Sequence, residues 1–197
     1  SLLNIFSYEK IFKSEVILNL LRVIGCGVEI KTKSKDMVPF DLDALRWNKI
    51  IICTDADKDG YHIRTLLLTL FRRLLPTLLR EKKVFIAESP LYEIVCKDKS
   101  YFAYDEAEKA QILRQFEGQK YKVSRSKGLG ENEPEMMRQT TMNPATRRLI
   151  SVTPADEAET DRIFETLLGD DIAARKAFIT EYGPQYMSEI DRSGDDA

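Results

Sequence analysis

The sequence is poor in the residues that would indicate a metal-thiolate centre, a disulfide framework or a membrane protein. Its 197 residues include one histidine, one tryptophan and three cysteines, Cys26, Cys53 and Cys96, with no Cys-x-x-Cys spacing. We therefore expect reduced thiols that act as small buried apolar side chains in a cytoplasmic protein. No apolar run approaches the roughly 18 residues of a membrane span. Residues 1–4 also lack the basic and long apolar segments of a secretory signal.

The chain also has little net charge. Its formal charge is −2 at pH 7, so the overall charge does not indicate a nucleic-acid partner, and any such signal must come from local clusters. The chain does not begin with methionine, which favours a fragment of a longer protein. Its length allows one large domain, or one domain with an appendage.

What the sequence does contain is an apolar run that ends in an acidic turn. The four apolar residues Ile50–Cys53 predict a short buried strand. Three carboxylates follow at alternate positions, Asp55, Asp57 and Asp59, and Gly60 then supplies backbone freedom for a sharp exit. Two carboxylates 4 Å apart repel by about 4 kcal/mol at an effective dielectric constant near 20, so the cluster favours a bound cation. Mg²⁺ suits so few oxygen ligands, because it usually keeps several waters.

Two other interpretations of the acidic turn are open. The pattern Asp-x-Asp-x-Asp-Gly also begins a calcium-binding EF-hand loop, but the twelfth position holds Leu66 where a bidentate Glu is required, and the preceding element is a strand. An unoccupied, solvated acidic turn is the second alternative, and residue types alone separate it poorly from a magnesium site.

Hydrophobic periodicity predicts an α/β fold. A helix over residues 8–24 ends at Gly25, and a leucine-rich helix over residues 62–82 is interrupted by Pro76. The strands at residues 50–53 and 83–87 flank that second helix, which predicts a parallel βαβ pair and a mainly parallel sheet flanked by helices. The remaining predicted elements are a hairpin at 91–103, a helix at 105–116, a strand at 121–124, and helices after Pro134 and at 144–149, 153–168 and 171–182. The helix at 105–116 begins with a capping-box pattern, Asp105 with Glu108 three residues on.

A basic, glycine-containing loop forms the second cluster of interest. Lysine and arginine residues are crowded into the strand and loop before two glycines; the set is Lys120, Lys122, Arg125, Lys127, Gly128 and Gly130. The glycines permit close approach of the backbone to a phosphate, and the cations provide attraction. Such contacts would position DNA without reading its sequence. A solvated surface hairpin is the alternative; Arg147 and Arg148, on the predicted helix 144–149, are either further phosphate contacts or ordinary surface charges.

Two residues beside the acidic turn carry weaker signals. His62, the only histidine, opens the predicted helix, and we expect it to hydrogen-bond the acidic turn rather than to act in catalysis. Tyr61 would be the nearest nucleophile to the carboxylates, but a residue that merely opens the helix is the simpler interpretation.

Several segments together resemble one family. They are Thr54-Asp55-Ala56-Asp57-Lys58-Asp59-Gly60, Glu88-Ser89-Pro90-Leu91-Tyr92, Lys127-Gly128-Leu129-Gly130-Glu131 and Thr140-Thr141-Met142-Asn143-Pro144 with Arg147-Arg148. In this order they resemble the TOPRIM region and the following segment of the B subunits of type IIA DNA topoisomerases. The resemblance extends from the first residues to about residue 187.

The resemblance implies a TOPRIM fold with a helical C-terminal segment and a division of the chain into three parts. Residues 1–104 would form the TOPRIM core without its Glu-bearing first strand. Residues 105–187 would hold the rest of TOPRIM, with the Lys-Gly-Leu-Gly loop and a helical tail segment. Residues 188–197 would be a disordered acidic tail.

The resemblance also implies a ligand set and a set of partners. Asp55 and Asp57 would bind Mg²⁺, with Asp59 in support, in a two-metal or moving-metal site completed by a Glu upstream of Ser1. Arg125, Lys127, Gly128, Gly130 and Arg147 would contact duplex DNA. The nucleophilic tyrosine would come from an A-type breakage-reunion subunit in an A₂B₂ heterotetramer, and ATP would bind only to a region further upstream. Alone, the chain would be inactive.

Two rival functions are less compatible with these motifs. A TOPRIM primase or nuclease would lack Lys127 and the segment Thr140–Pro144. A nonenzymatic interaction module would leave the acidic turn unoccupied, which metal titration would reveal.

Overall fold

In the computed structural model, residues 13–30, 38–55, 58–126 and 128–186 are described. The helices in these ranges are α1 (Glu15–Ile24), α2 (Lys58–Leu74), α3 (Pro76–Arg80), α4 (Glu106–Gln115), α5 (Pro134–Met137), α6 (Glu157–Leu168) and α7 (Ile172–Tyr182). The strands are β1 (Ile50–Ile52), β2 (Val84–Ala87), β3 (Tyr92–Cys96), β4 (Lys99–Ala103), β5 (Tyr121–Arg125) and β6 (Leu149–Ser151). Short 3₁₀ turns lie at Leu42–Ala44, Leu129–Glu131 and Gly183–Tyr186, and a π turn lies at Arg138–Met142. None of the helices in these ranges is long and apolar enough to cross a membrane.

The strands form two three-stranded sheets, with the orders β1-β2-β6 and β4-β3-β5. The predicted α/β class is confirmed. The prediction of mainly parallel pairing is wrong for the described sheets, because β2 pairs with β6, and β3 with β4 and with β5, in antiparallel register. A two-residue turn, Lys97-Asp98, joins β3 to β4, and so short a connection permits only an antiparallel pair.

The chain divides into two compact units, of which the first contains Ser1–Ile50, Thr65–Val84 and Val152–Ala197. Its core is built on α2 and α3, where Leu70, Phe71, Leu74, Leu78 and Leu79 are at most 5% exposed. Pro76 is the first residue of α3, so the predicted interruption at this proline is confirmed. Arg72 of α2 has only 11% of its side chain exposed and pairs with Asp161 of α6 at 2.6 Å.

The second unit contains Ile51–Arg64 and Phe85–Ser151. Its apolar cluster joins the β4-β3-β5 sheet to α4, with Ile94, Ala103 and Phe116 buried together. The start of α4 is the predicted capping box: the Asp105 side chain accepts from the Glu108 amide at 2.7 Å. The Glu108 carboxylate in turn accepts from the Tyr104 amide at 3.0 Å. The predicted division at residues 104 and 187 stays a prediction.

Some local predictions are confirmed, and others fall outside the described ranges. Gly25 ends α1 with a φ of +88°, the left-handed conformation that glycine adopts without strain. The hairpin, the strand after Lys120 and helix α7 lie within one to three residues of their predicted bounds. The start of the first helix, before residue 13, and the tail after residue 186 lie outside the described residues.

Two other local predictions are wrong. The segment 144–149 is not a helix, because the Asn143 side chain accepts from the Ala145 amide in a turn and the apolar residues from Leu149 join β2 as β6. Helix α6 begins after Asp156 rather than at Thr153-Pro154, because the Asp156 carboxylate caps the Glu159 amide at 2.7 Å.

Candidate functional site: the acidic turn and the glycine loop

The acidic turn lies where the sequence predicts it, between β1 and α2. Asp55 follows β1 by three residues and is half-buried. Asp59 lies in the first turn of α2 and is exposed. Asp57, the other predicted ligand, is outside the described residues, so its part in the site stays a prediction.

Gly60 allows the turn to fold against the helix, but for a reason other than the predicted backbone freedom. It is a buried residue of α2, and its φ is not in the left-handed region. A Cβ at this position would lie 2.0 Å from the carbonyl oxygen of Asp55. The close approach of the helix backbone to the Asp55 backbone therefore requires glycine at position 60.

Helix α2 also contacts Thr54, the residue before Asp55. The Arg64 guanidinium donates to the Thr54 hydroxyl at 3.2 Å, and the Arg64 Cζ atom lies 5.2 Å from the centre of the Tyr61 ring. Tyr61 therefore has a local role beside Arg64, in keeping with the simpler interpretation of this residue. His62 is exposed in the same helical turn, and its predicted hydrogen bond to the acidic turn stays a prediction.

The glycine loop reaches the acidic turn directly. The Leu129 backbone N–H donates to Oδ1 of Asp55 at 2.7 Å, across 74 residues of sequence. A Cβ on Gly128 would lie 3.3 Å from Oδ2 of the same carboxylate. Gly128 is extended, with φ −150° and ψ 161°, so a side chain there would be restricted by this close approach rather than by the backbone conformation. The sequence places both motifs but gives no signal that they touch.

The flanks of the loop are fixed within the second unit. The Ser126 amide donates to the Leu91 carbonyl at 2.9 Å, and the Ser126 hydroxyl donates to the Asn132 side-chain oxygen at 2.7 Å. Lys127 lies outside the described residues. Within the described part of the chain, no heavy atom lies within 4 Å of a Cβ added at Gly130.

Arg147 lies near the carboxyl end of β1. Its positive charge lowers the pKa of the Cys53 thiol, although a larger effect of partial burial leaves that pKa above its usual value. Cys53 is exposed as a residue, so its predicted burial is wrong, whereas Cys26 and Cys96 are buried as predicted. The strand is only three residues long and ends before Cys53, which explains the exposure. Arg125, at the end of β5, is also exposed.

Arg148 anchors the segment that carries Arg147. Its guanidinium donates to the Glu108 carboxylate at 2.6 Å and lies 3.8 Å from the centre of the Tyr104 ring. The Arg148 carbonyl accepts from the Glu88 amide at 3.1 Å. The hydrogen bond to Glu108 raises the pKa of Arg148 above its usual value. Arg148 is therefore committed to contacts within the chain, whereas the residue pattern alone does not distinguish the two arginines.

The donor set of the acidic turn fits a magnesium ion only in part. Among residues 13–30, 38–55, 58–126 and 128–186, no group of three histidine, cysteine or carboxylate side chains is arranged to hold a metal. Asp55 contributes a hard oxygen donor, a carboxylate whose Oδ1 accepts from the Leu129 amide. A magnesium site here therefore depends on carboxylates besides Asp55, as the resemblance implies for Asp57 and an upstream Glu.

Comparison with known families covers both parts of the candidate site. A family model described as the Toprim domain matches residues 2–89, which include the acidic turn. A second model, described as the carboxyl terminus of the DNA gyrase B subunit, matches residues 118–180, which include the glycine loop and Arg147.

Similar proteins are B subunits of DNA gyrase and of DNA topoisomerase 4. The gyrase B subunit of Thermotoga maritima is 42% identical over 185 residues, which are 94% of this chain and 28% of that protein. The topoisomerase 4 B subunit of Mycoplasma capricolum is 43% identical over 171 residues, 87% of this chain and 25% of that protein. The gyrase B subunit of Thermus thermophilus is 42% identical over 173 residues, 88% of this chain and 27% of that protein. The chain thus spans about a quarter of the length of these relatives.

Proposed function

Because this chain belongs to the family of type IIA DNA topoisomerase B subunits, we propose that it supplies the divalent-cation site and part of the DNA-contacting surface for cleavage and religation of duplex DNA. The resemblance predicted from the sequence motifs is thereby confirmed at the level of the family. One observation carries the proposal: the fold brings Asp55 of the acidic turn into contact with the glycine loop at Gly128 and Leu129.

Electrostatics favours a cation between these two motifs. A DNA phosphate that approaches the glycine loop would meet the Asp55 carboxylate behind it. Two such charges 4 Å apart repel by about 4 kcal/mol at an effective dielectric constant near 20. A Mg²⁺ ion would turn this repulsion into attraction, since it binds carboxylate and phosphate oxygens together.

The residues of the chain then have separate roles. Asp55 and Asp57 hold the cation, and Asp59 adds negative charge nearby. Lys127, Arg125 and Arg147 attract the DNA backbone without reading its sequence. A cation held by these carboxylates would supply electrostatic stabilisation of the negative charge that develops on phosphate oxygens in transesterification.

The remaining parts of the reaction come from outside residues 1–197. We propose that the attacking tyrosine belongs to an A-type breakage-reunion subunit in an A₂B₂ assembly in the cytoplasm. An upstream Glu completes the cation site, and an upstream region binds ATP. The chain is expected to be inactive on its own.

The proposal is tested by neutralising the acidic turn in the intact B-type protein assembled with its A-type partner. Asp55→Asn and Asp57→Asn should each reduce Mg²⁺-supported cleavage of duplex DNA at least tenfold, an effect typical of perturbed metal sites. Asp98→Asn is the matched control, because Asp98 lies in the β3–β4 turn with a φ of +61° that Asn tolerates. Full cleavage by the Asp55 variant would refute the ligand assignment.

A further inference from the structure

The glycine loop contacts Asp55 through its backbone. The donor is the N–H of Leu129, and the acceptor is Oδ1 of Asp55, 2.7 Å away. A hydrogen bond to a carboxylate restrains the rotation of that side chain and is stronger than a bond between neutral groups. The bond therefore fixes the carboxylate while using only one of its two oxygens.

Gly128 makes this arrangement possible. Its extended backbone is accessible to any residue, so its conformation does not explain the glycine. An added Cβ would lie 3.3 Å from Oδ2 and 3.6 Å from Oδ1, close enough to push the carboxylate aside. The absence of a side chain at Gly128 leaves room beside the oxygen that Leu129 does not occupy.

We propose that the Leu129 amide is a positioning group for Asp55, and that divalent-cation binding and docking of the loop 128–131 favour each other. The inference rests on the proposed cation site. The docked loop holds Asp55 with Oδ2 available to the cation, so the ion binds to a carboxylate that is already oriented. Reciprocity of linked equilibria then requires the cation to stabilise the docked loop by the same factor. The cation would in this way order the loop that contacts DNA.

Two substitutions at Leu129 separate the effect of losing its amide N–H from the effect of losing its side chain. Leu129→Pro removes the N–H, and proline is well accommodated at the first residue of a helical turn after an extended residue. Leu129→Ala removes most of the side chain but keeps the N–H. We expect the Leu129→Pro variant to bind Mn²⁺ about tenfold more weakly than the Leu129→Ala variant, an effect typical of losing a group that hydrogen-bonds a metal ligand. Calorimetry on the intact full-length protein measures both affinities.

A second pair of variants tests the space beside the carboxylate. Gly128→Ala should weaken Mn²⁺ binding several-fold, by roughly the factor of five that about 1 kcal/mol represents. Gly183→Ala, at the end of α7, should leave it unchanged, because the backbone there is in the αR region and an added Cβ would make only an ordinary contact, 3.6 Å from Ile179. Equal affinities for these two variants would count against the proposal.

Hydrogen exchange of the unmodified full-length protein gives a readout that does not depend on any substitution. The amides of residues 128–131 should exchange several-fold more slowly with saturating Mg²⁺ than without it. Unchanged exchange, or equal Mn²⁺ affinity of Leu129→Pro and Leu129→Ala, would overturn the coupling while leaving the cation site intact. Mn²⁺ binding that is insensitive to Asp55→Asn would instead overturn the proposed cation site, and the coupling with it.

Discussion

Gly60 is the position where a single methyl group should do the most damage to the candidate site. An alanine Cβ would lie 2.0 Å from the Asp55 carbonyl oxygen, whereas real Cβ atoms essentially never approach a neighbour closer than 3.0 Å. The obstructing atom belongs to the backbone, so no rotation of a side chain can relieve the contact. Either the start of α2 or the acidic turn must move by about 1 Å.

The size of the effect follows from two opposing contributions. Overpacking a well-packed site costs about 1–3 kcal/mol, and a rigid backbone contact belongs at the upper end of that range. Alanine recovers about 1 kcal/mol relative to glycine within a helix. We therefore expect Gly60→Ala to lower the free energy of unfolding by about 2 kcal/mol. For a chain of this size, that corresponds to a fall in Tm of about 4–8 °C.

Thermal unfolding followed by circular dichroism measures this difference, with Gly130→Ala as the matched control. Position 130 has no left-handed φ and no heavy atom within 4 Å of an added Cβ, so the control should change the free energy of unfolding by less than about 0.5 kcal/mol. A Gly60→Ala variant whose Tm equals that of the unmodified chain would show that the turn does not pack against α2 as described.

Three smaller effects should accompany this one. Asp105→Ala should cost about 1 kcal/mol in urea unfolding through loss of the N-cap of α4, and Asp105→Asn should restore most of it; equal stability of the two variants would contradict the capping assignment. Arg148→Ala should lower the free energy of unfolding by about 1 kcal/mol, because it removes the partly exposed ion pair with Glu108 and the contact with the Tyr104 ring. An unchanged urea midpoint would disprove this loss. Hydrogen bonding from Arg138 lowers the pKa of Glu135 to about 2. The small stabilisation that this pair provides is therefore present above about pH 4.5 and lost as the pH falls towards 2. Glu135→Gln should reduce the difference between the free energies of unfolding at pH 6 and pH 2. A difference equal to that of the unmodified chain would exclude the pairing.

The sequence predicts those features that depend on local chemistry. The strand before Asp55, the interruption at Pro76, the capping box at Asp105 and the left-handed end of α1 at Gly25 are all predicted correctly, because each depends on residues within a few positions of one another. Local signals also mislead, as at Asn143-Pro144, which has the pattern of a helix start. The competing stabilisation of that segment comes from pairing with β2, more than sixty residues earlier in the chain.

The motifs of the candidate site and the family to which they belong were therefore determined by the sequence alone. Only the tertiary structure decided that the Leu129 amide reaches Asp55, that the backbone of Gly128 lies against the same carboxylate, and that Arg148, unlike Arg147, is committed to Glu108. These features depend on distances between segments far apart in sequence. Such distances are set by packing of the whole unit, and no local pattern of residue types encodes them.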